Sequence, residues 1–159
     1  MATDELETLL VEDNPADVEL TLHAFRQNNL ANQIHIVRDG EEALEYLFCR
    51  GAYQTRCLGP PPKLILLDLK LPKVGGIGVL QEVKSDSRTR AIPVIVLTSS
   101  KEERDLIASY QCGANSYILK PADFGQFRET VRQLCSYWLT VNQPPPPSAF
   151  QAEPPGQPR

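Results

Sequence analysis

The feature of this sequence that most constrains its fold is a repeated alternation between short apolar runs and longer segments with helical periodicity. Leu9-Leu10-Val11 and Leu64-Ile65-Leu66-Leu67 contain only consecutive apolar residues. Such runs are typical of parallel strands covered on both faces, because a strand with one solvated face alternates apolar and polar residues. Five predicted strands, each followed by a helix, indicate an α/β fold: a doubly wound five-stranded parallel sheet with helices on both faces. The strands are predicted at 9–11, 34–38 (partly alternating), 64–67, 92–97 and 116–119.

Capping residues indicate where several helices begin and end. Asn14 and Pro15 are expected to be the N-cap and the first residue of the first helix. In Ser-Ser-Lys-Glu-Glu at 99–103, either serine with the glutamate three residues later predicts a capping box for the fourth helix, and Gly113 is expected to end that helix. Residues 51–62 have no periodic pattern and are predicted to form a loop.

Composition excludes several classes of protein. The 159 residues carry a formal net charge of −4 and no Lys/Arg cluster, which argues against a nucleic-acid partner. No apolar stretch approaches the roughly 18–20 residues of a membrane helix. The acidic start of the chain lacks the basic and apolar regions of a signal peptide. We therefore expect a cytoplasmic location and no membrane partner. The four cysteines form no C-x-x-C pair and are expected to be free thiols.

Proline is concentrated at the C-terminal end of the chain. Seven of the 14 prolines fall between Pro144 and Pro158, in a segment that has few apolar residues. Such a segment cannot bury enough apolar surface to offset the entropy lost on ordering. We predict a folded domain over 1–142 and a disordered or polyproline II-like tail over 143–159, with no room for a separate output domain.

Polar residues follow four of the five predicted strands. Glu12 and Asp13 follow the first, Asp68 the third, Thr98 the fourth and Lys120 the fifth. The carboxyl ends of parallel strands meet at one edge of the sheet, where doubly wound folds bind ligands. Carboxylates about 4 Å apart repel by roughly 4 kcal/mol per pair at a dielectric constant near 20. The cluster therefore predicts a cation, and oxygen ligands suit Mg²⁺. With a lysine and a hydroxyl nearby, the set predicts a site for a phosphoryl group.

These residues lie in four motifs with a characteristic spacing. The motifs are Leu-Leu-Val-Glu-Asp-Asn at 9–14, Leu-Leu-Asp-Leu-Lys-Leu-Pro at 66–72, Val-Leu-Thr-Ser at 96–99 and Tyr-Ile-Leu-Lys-Pro at 117–121. Together they resemble the receiver domain of the response regulators of two-component systems. The resemblance covers residues 6–142 and implies the flavodoxin-like receiver fold.

The resemblance implies a phosphoacceptor and a metal site. Asp68 would accept the phosphoryl group from a sensor histidine kinase. Asp13, Asp68 and the backbone carbonyl of Lys70 would bind Mg²⁺, and Glu12 would act through a metal-bound water. The family often has Asn at the position of Lys70, but the metal needs only its carbonyl oxygen. The lysine side chain places an added cation at the rim of the site.

The resemblance also implies a switch. Lys120 would pair with the phosphoryl oxygens, and Thr98 would move to hydrogen-bond the phosphorylated aspartate. Tyr117 occupies the position of the family's switch aromatic residue, which turns inward when Thr98 moves.

The sequence is most similar to one subgroup of the family. Glu45-Tyr46-Leu47, the Gly51-Ala52-Tyr53 segment and Tyr137-Trp138-Leu139-Thr140-Val141 look like the stand-alone regulators encoded beside bacterial and cyanobacterial phytochromes. This likeness implies a single-domain regulator whose partners are a sensor histidine kinase, with a bacteriophytochrome as the candidate, and an unidentified downstream protein. It also implies a homodimer, formed through the fourth helix, fifth strand and fifth helix.

Three other functions fit these residues less well. An aspartate-nucleophile phosphatase on a related fold needs a second Asp two residues after the nucleophile, where this chain has Lys70. A flavodoxin-like FMN binder would place its phosphate beside Glu12 and Asp13, which repel it. A receiver that no longer accepts phosphate would lack part of the site set. The chain is therefore expected to catalyse only its own phosphotransfer and dephosphorylation.

Overall fold

A computed structural model describes residues 8–30, 34–58 and 60–150 of the chain. In this part of the chain one sheet of five parallel strands has the order β2-β1-β3-β4-β5. The strands are β1 Thr8–Val11, β2 Ile34–Val37, β3 Leu64–Leu67, β4 Val94–Thr98 and β5 Ser116–Leu119. The helices are α1 Pro15–Gln27, α2 Gly40–Leu47, α3 Gly76–Ser85, α4 Glu103–Gln111 and α5 Phe124–Ser136. The predicted doubly wound α/β fold is confirmed.

Two apolar layers sandwich the sheet, because successive strand residues point to opposite faces. On one face, strand residues such as Leu9 and Ile65 pack with α2 and α3. On the other face, Leu10 and Leu66 pack with α1 and α5, where Phe25 is fully buried. The runs without polar residues in β1 and β3 therefore correspond to strands that are covered on both sides.

The predicted start of α1 is confirmed, and the predicted bounds of α4 are confirmed at its end only. The Asn14 side chain accepts hydrogen bonds from the first turn of α1, and Pro15 is its first residue. Gly113 follows α4 with a φ of 103°, a conformation that favours glycine. The capping box predicted in 99–103 is wrong. α4 begins at Glu103 without a side-chain cap. The Ser100 hydroxyl accepts from the Glu102 amide at 3.3 Å and bonds to Asp105 in the first turn of the helix.

The segment predicted as a loop at 51–62 is partly helical. Gly51–Leu58 forms short 3₁₀ turns that meet at Tyr53. The Tyr53 hydroxyl donates to Glu42 Oε2 at 2.7 Å and lies 3.1 Å from Nε2 of His35, whose ring stacks on Tyr46 with centroids 4.5 Å apart. These contacts attach the segment to β2 and α2. Sequence periodicity could not reveal them, since they join residues far apart in the chain.

The first part of the proline-rich segment lies against the domain. A π turn extends α5 over Tyr137–Val141, and a 3₁₀ turn at Pro147–Phe150 brings Phe150 against the core. Pro144–Pro147 and Pro60–Pro62 line a cavity of about 400 Å³. Residues 143–150 were expected to lie outside the fold, and these contacts differ from that expectation. The rest of the predicted tail, 151–159, lies outside the described residues.

Two further sequence expectations concern thiols and membranes. Cys112 and Cys135 are free thiols, as expected. No helix within the described ranges is long and apolar enough to cross a bilayer.

Candidate phosphoryl-acceptor and metal site

The acidic residues lie at the carboxyl edge of the sheet, where the backbone ladder continues one residue beyond the strands. The Glu12 amide donates to the Val37 carbonyl, and the Asp68 amide donates to the Val11 carbonyl, both at 3.0 Å. These bonds hold the residues that directly follow β1 and β3 side by side. Glu12 and Asp68 are consequently buried although both are acidic, with 3% and 7% of their surface exposed.

Three carboxylates converge at this edge. One oxygen from each of Glu12, Asp13 and Asp68 lies within 4.8 Å of the other two. Burial raises the pKa of Glu12, and the neighbouring charge of Asp68 raises it further, whereas Lys120 lowers it. A set of anionic, hard oxygen ligands in this arrangement fits a divalent cation such as Mg²⁺ or Mn²⁺. The convergence predicted from the strand ends is therefore present.

Lys120 supplies the balancing positive charge. Its Nζ lies 2.6 Å from Glu12 Oε1, 2.8 Å from Asp17 Oδ2 and 3.3 Å from Asp68 Oδ2. Only 8% of the lysine side chain is exposed. Burial by itself would lower the pKa of Lys120, but hydrogen bonds to Asp17 and Glu12 and the charge of Asp68 raise it above its usual value. The ammonium group is therefore a fixed cation in the pocket.

Asp17 is the site residue that sequence reasoning missed. It lies in the first turn of α1, where an acidic residue has an ordinary explanation, because it stabilises the helix dipole. The available signal was its spacing of four residues from Asp13, which lies just beyond the end of β1. That spacing brings a helix residue close to the edge of the sheet.

A close backbone approach shapes the loop after Asp68. The Gly76 amide donates to the Leu69 carbonyl at 2.9 Å, and a Cβ at Gly76 would lie 2.4 Å from the Asp68 carbonyl oxygen. Glycine is needed here because any side chain would collide with this backbone. Leu69 donates its amide to Asp68 Oδ1 at 2.8 Å, which orients the carboxylate.

The predicted switch residues are joined through Ser100. Thr98 is fully buried, and its Oγ1 accepts a hydrogen bond from the Ser100 amide at 3.3 Å. The half-buried Tyr117 donates its hydroxyl to the Ser100 carbonyl at 3.0 Å. The Ser100 hydroxyl bonds to Asp105 of α4. A displacement of Thr98 would therefore be transmitted to β5 and α4 through one residue.

Lys70 lies two residues after Asp68 with its side chain exposed to solvent. This placement puts its ammonium group at the rim and outside the buried cluster. The assignment of its backbone carbonyl as a metal ligand stays a prediction.

Comparison with known proteins decides the family. The profile of the response regulator receiver domain matches residues 8–132. The chain belongs to the response regulator receiver domain family. The fold and the four motifs at the strand ends agree with this assignment, and the phosphatase alternative is not favoured. As a response regulator of a two-component system, the protein is a phosphoacceptor signalling module.

Three relatives cover most of the chain. The probable methanogenesis regulatory protein FilR2 of Methanothrix harundinacea is 42% identical over 147 residues, which are 92% of each chain. Response regulator Rcp1 of Synechocystis is 40% identical over 137 residues, or 86% of this chain and 91% of Rcp1. The phosphorylated cyanobacterial phytochrome response regulator RcpA is 39% identical, with a TM-score of 0.83 over 89% of this chain and 99% of RcpA.

A metal-bound relative supports the chemistry of the acidic cluster. The Mn²⁺-bound form of Rcp1 matches this receiver domain with a TM-score of 0.81 and 38% identity, over 87% of this chain and 98% of Rcp1. In this chain the converging carboxylate oxygens of Glu12, Asp13 and Asp68 form a group that could hold a metal ion.

Proposed function

We propose that this receiver accepts a phosphoryl group on Asp68 from a sensor histidine kinase, with Mg²⁺ as its cofactor. The observation that carries the proposal is the buried Asp68 carboxylate, which lies beside two further carboxylates and 3.3 Å from the Lys120 ammonium. Phosphoryl transfer depends mainly on positioning and on stabilising charge. This pocket supplies both from fixed groups.

In the proposed transfer, an Asp68 carboxylate oxygen attacks the phosphorus of a phosphohistidine. A P–O bond forms, the P–N bond breaks, and the released imidazole takes up a proton. Asp13, Asp68 and the Lys70 carbonyl would hold Mg²⁺, and Glu12 would contact it through water. When bound, Mg²⁺ neutralises negative charge on the carboxylates and on the phosphoryl oxygens. Lys120 binds those oxygens from the other side.

The switch follows from the change in charge at Asp68. Thr98 turns its hydroxyl toward a phosphoryl oxygen. This movement breaks the hydrogen bond that the Thr98 hydroxyl accepts from the Ser100 amide in the unphosphorylated form. The Ser100 carbonyl then no longer accepts the hydrogen bond from the Tyr117 hydroxyl. Tyr117 turns inward, and the surface formed by α4 and β5 changes.

The output is a protein–protein contact on that surface. Exposed apolar side chains cluster on α4 and β5, and they are Leu106, Ile107, Tyr110 and Leu119. An apolar cluster of this kind is typical of an interaction site. We propose that it forms a homodimer together with α5, and that the assembled regulator contacts a downstream protein.

The relatives suggest the input. RcpA is a phytochrome response regulator, and we propose a phytochrome-type histidine kinase as the partner of this chain. We further propose a cytoplasmic protein with neither a nucleic-acid nor a membrane partner. Its receiver domain ends at residue 142 and a proline-rich segment follows over 143–159.

Incubation with acetyl phosphate and Mg²⁺ tests the proposal. We expect one phosphoryl group per wild-type chain, stable in acid and labile in alkali, and none on Asp68→Asn. Asp123→Asn is the matched control, because Asn caps a helix as well as Asp and this residue caps α5. Equal phosphorylation of Asp68→Asn would contradict the assignment.

A further inference from the structure

The position of Lys120 depends on a carboxylate outside the acidic cluster. Lys120 Nζ lies 2.8 Å from Asp17 Oδ2 but 3.3 Å from Asp68 Oδ2. The side chain of Asp17 is only 21% exposed. The ammonium group therefore lies closer to a helix residue than to the proposed phosphoacceptor.

The first turn of α1 presents Asp17 rigidly. The Asp17 amide donates to Asn14 Oδ1, and its carbonyl accepts from the Thr21 hydroxyl at 2.8 Å. In a capping box, the side chain of a Glu or Gln at the third helical position bonds back to the N-cap amide. Here Glu12 Oε2 accepts from the Asn14 amide at 3.2 Å. The Asp17 carboxylate is thereby available to Lys120.

A lysine ammonium group has three hydrogens to donate. In this pocket they face Glu12, Asp17 and Asp68. A phosphoryl group on Asp68 adds oxygens that need the same donors. Any donor held by Asp17 is withheld from the phosphoryl group, and the negative charge of Asp17 also offsets part of the positive charge of Lys120.

We propose that Asp17 is a positioning residue that holds Lys120 back from Asp68 and so weakens the binding of the phosphoryl group. This inference rests on the proposed function of Asp68. Charge-assisted hydrogen bonds are about twice as strong as neutral ones. Exchange of the carboxylate for an amide therefore strengthens phosphoryl binding about tenfold.

Beryllofluoride, a phosphoryl mimic, measures this binding at equilibrium. In the presence of Mg²⁺ we expect Asp17→Asn and Asp17→Ser to bind it about tenfold more tightly than wild type. Asp17→Glu keeps the charge, and its affinity for beryllofluoride should stay within about threefold of that of wild type. Glu19→Gln is the matched control, because it removes the same charge from an exposed position of α1. The ¹⁹F resonance of the fluoride beside Lys120 should shift in Asp17→Asn and Asp17→Ser and should not shift in Glu19→Gln.

The outcomes separate the two proposals. Unchanged or weaker binding in Asp17→Asn and Asp17→Ser, with melting temperatures near that of wild type, would overturn the role of Asp17 and leave Asp68 as the acceptor. Equal gains in Glu19→Gln would also overturn it, since they would show a general charge effect. Failure of wild type to bind the mimic would overturn the proposed function itself.

Discussion

Single residues set the charge of the pocket, and Asp13 is the most accessible of the three clustered carboxylates. Glu12 and Asp68 are buried, whereas Asp13 is half-buried. A half-buried position at the rim suits a ligand that must exchange water around a cation, since Mg²⁺ keeps several waters when it binds proteins. We therefore expect Asp13 to contribute mainly to metal affinity.

We predict that Asp13→Asn raises the dissociation constant for Mg²⁺ by about tenfold or more, because one of three anionic ligands becomes neutral. Isothermal titration calorimetry measures the constant directly. Asp39→Asn serves as the control, since it alters the N-cap of α2 and leaves the site unchanged. Unchanged affinity in Asp13→Asn would remove this residue from the metal ligands.

Site residues were predictable from the sequence when they lie at strand ends. Asp68 and Lys120 directly follow apolar runs, and parallel topology brings such positions together. Asp17 was not predictable in the same way. Its contact with Lys120 joins a helix turn to a strand 103 residues away in the chain. An acidic side chain at a helix start also has a sufficient local explanation.

At the scale of elements, the 3₁₀ segment Gly51–Leu58 is attached to β2 by an aromatic cluster that contains the titratable side chain of His35. Burial lowers the pKa of His35, Glu42 raises it, and Arg56 lowers it. The Arg56 guanidinium lies over the Tyr46 ring at 4.0 Å, on the residue that also stacks with His35. The folded state therefore favours the neutral imidazole.

We predict that acidification destabilises the protein through His35. Its pKa in the folded state lies below the value of about 6.5 found in unfolded chains, so the unfolded state binds more protons as pH falls through 6.5 and below. Urea unfolding at pH 7.5 and 5.5 should show a smaller loss of stability in His35→Gln than in wild type. His23→Gln, at an exposed position of α1, should behave as wild type. Identical losses in all three proteins would contradict the prediction.

Element boundaries followed from the sequence only where local chemistry decided them. Asn14 and Gly113 were correct because capping and a positive φ are local requirements. The capping box predicted at the start of α4 was wrong because Ser100 bonds to Asp105 and Tyr117, and Tyr117 lies in β5, far along the chain. The 3₁₀ segment was missed for the same reason, since its Tyr53 is held by Glu42 and His35.

At the scale of the whole molecule, the exposed apolar side chains of α4 and β5 predict self-association. We expect Ile107→Glu to raise the dimer dissociation constant by roughly 30-fold, which corresponds to loss of an interface residue that contributes about 2 kcal/mol. Light scattering over a concentration series measures it, with and without beryllofluoride. Gln81→Glu adds the same charge to α3 and should leave association unchanged. A wild-type protein that stays monomeric at high concentration under both conditions would refute the dimer.

The fold itself was largely predictable, because five apolar runs separated by helical segments leave few arrangements open to a parallel sheet. The packing of Phe150 against the core was not predictable. Composition describes the proline-rich segment as a whole, whereas a single aromatic side chain decides whether part of it lies against the domain.

The most direct test of the central claim is to locate the acyl phosphate chemically. Borohydride reduces an aspartyl phosphate to homoserine, and peptide mass spectrometry then identifies the residue that carried it. After phosphorylation with acetyl phosphate and Mg²⁺, the account predicts homoserine at position 68 alone. Homoserine at Asp13 or Asp17, or an unmodified residue 68 in a phosphorylated chain, would contradict it.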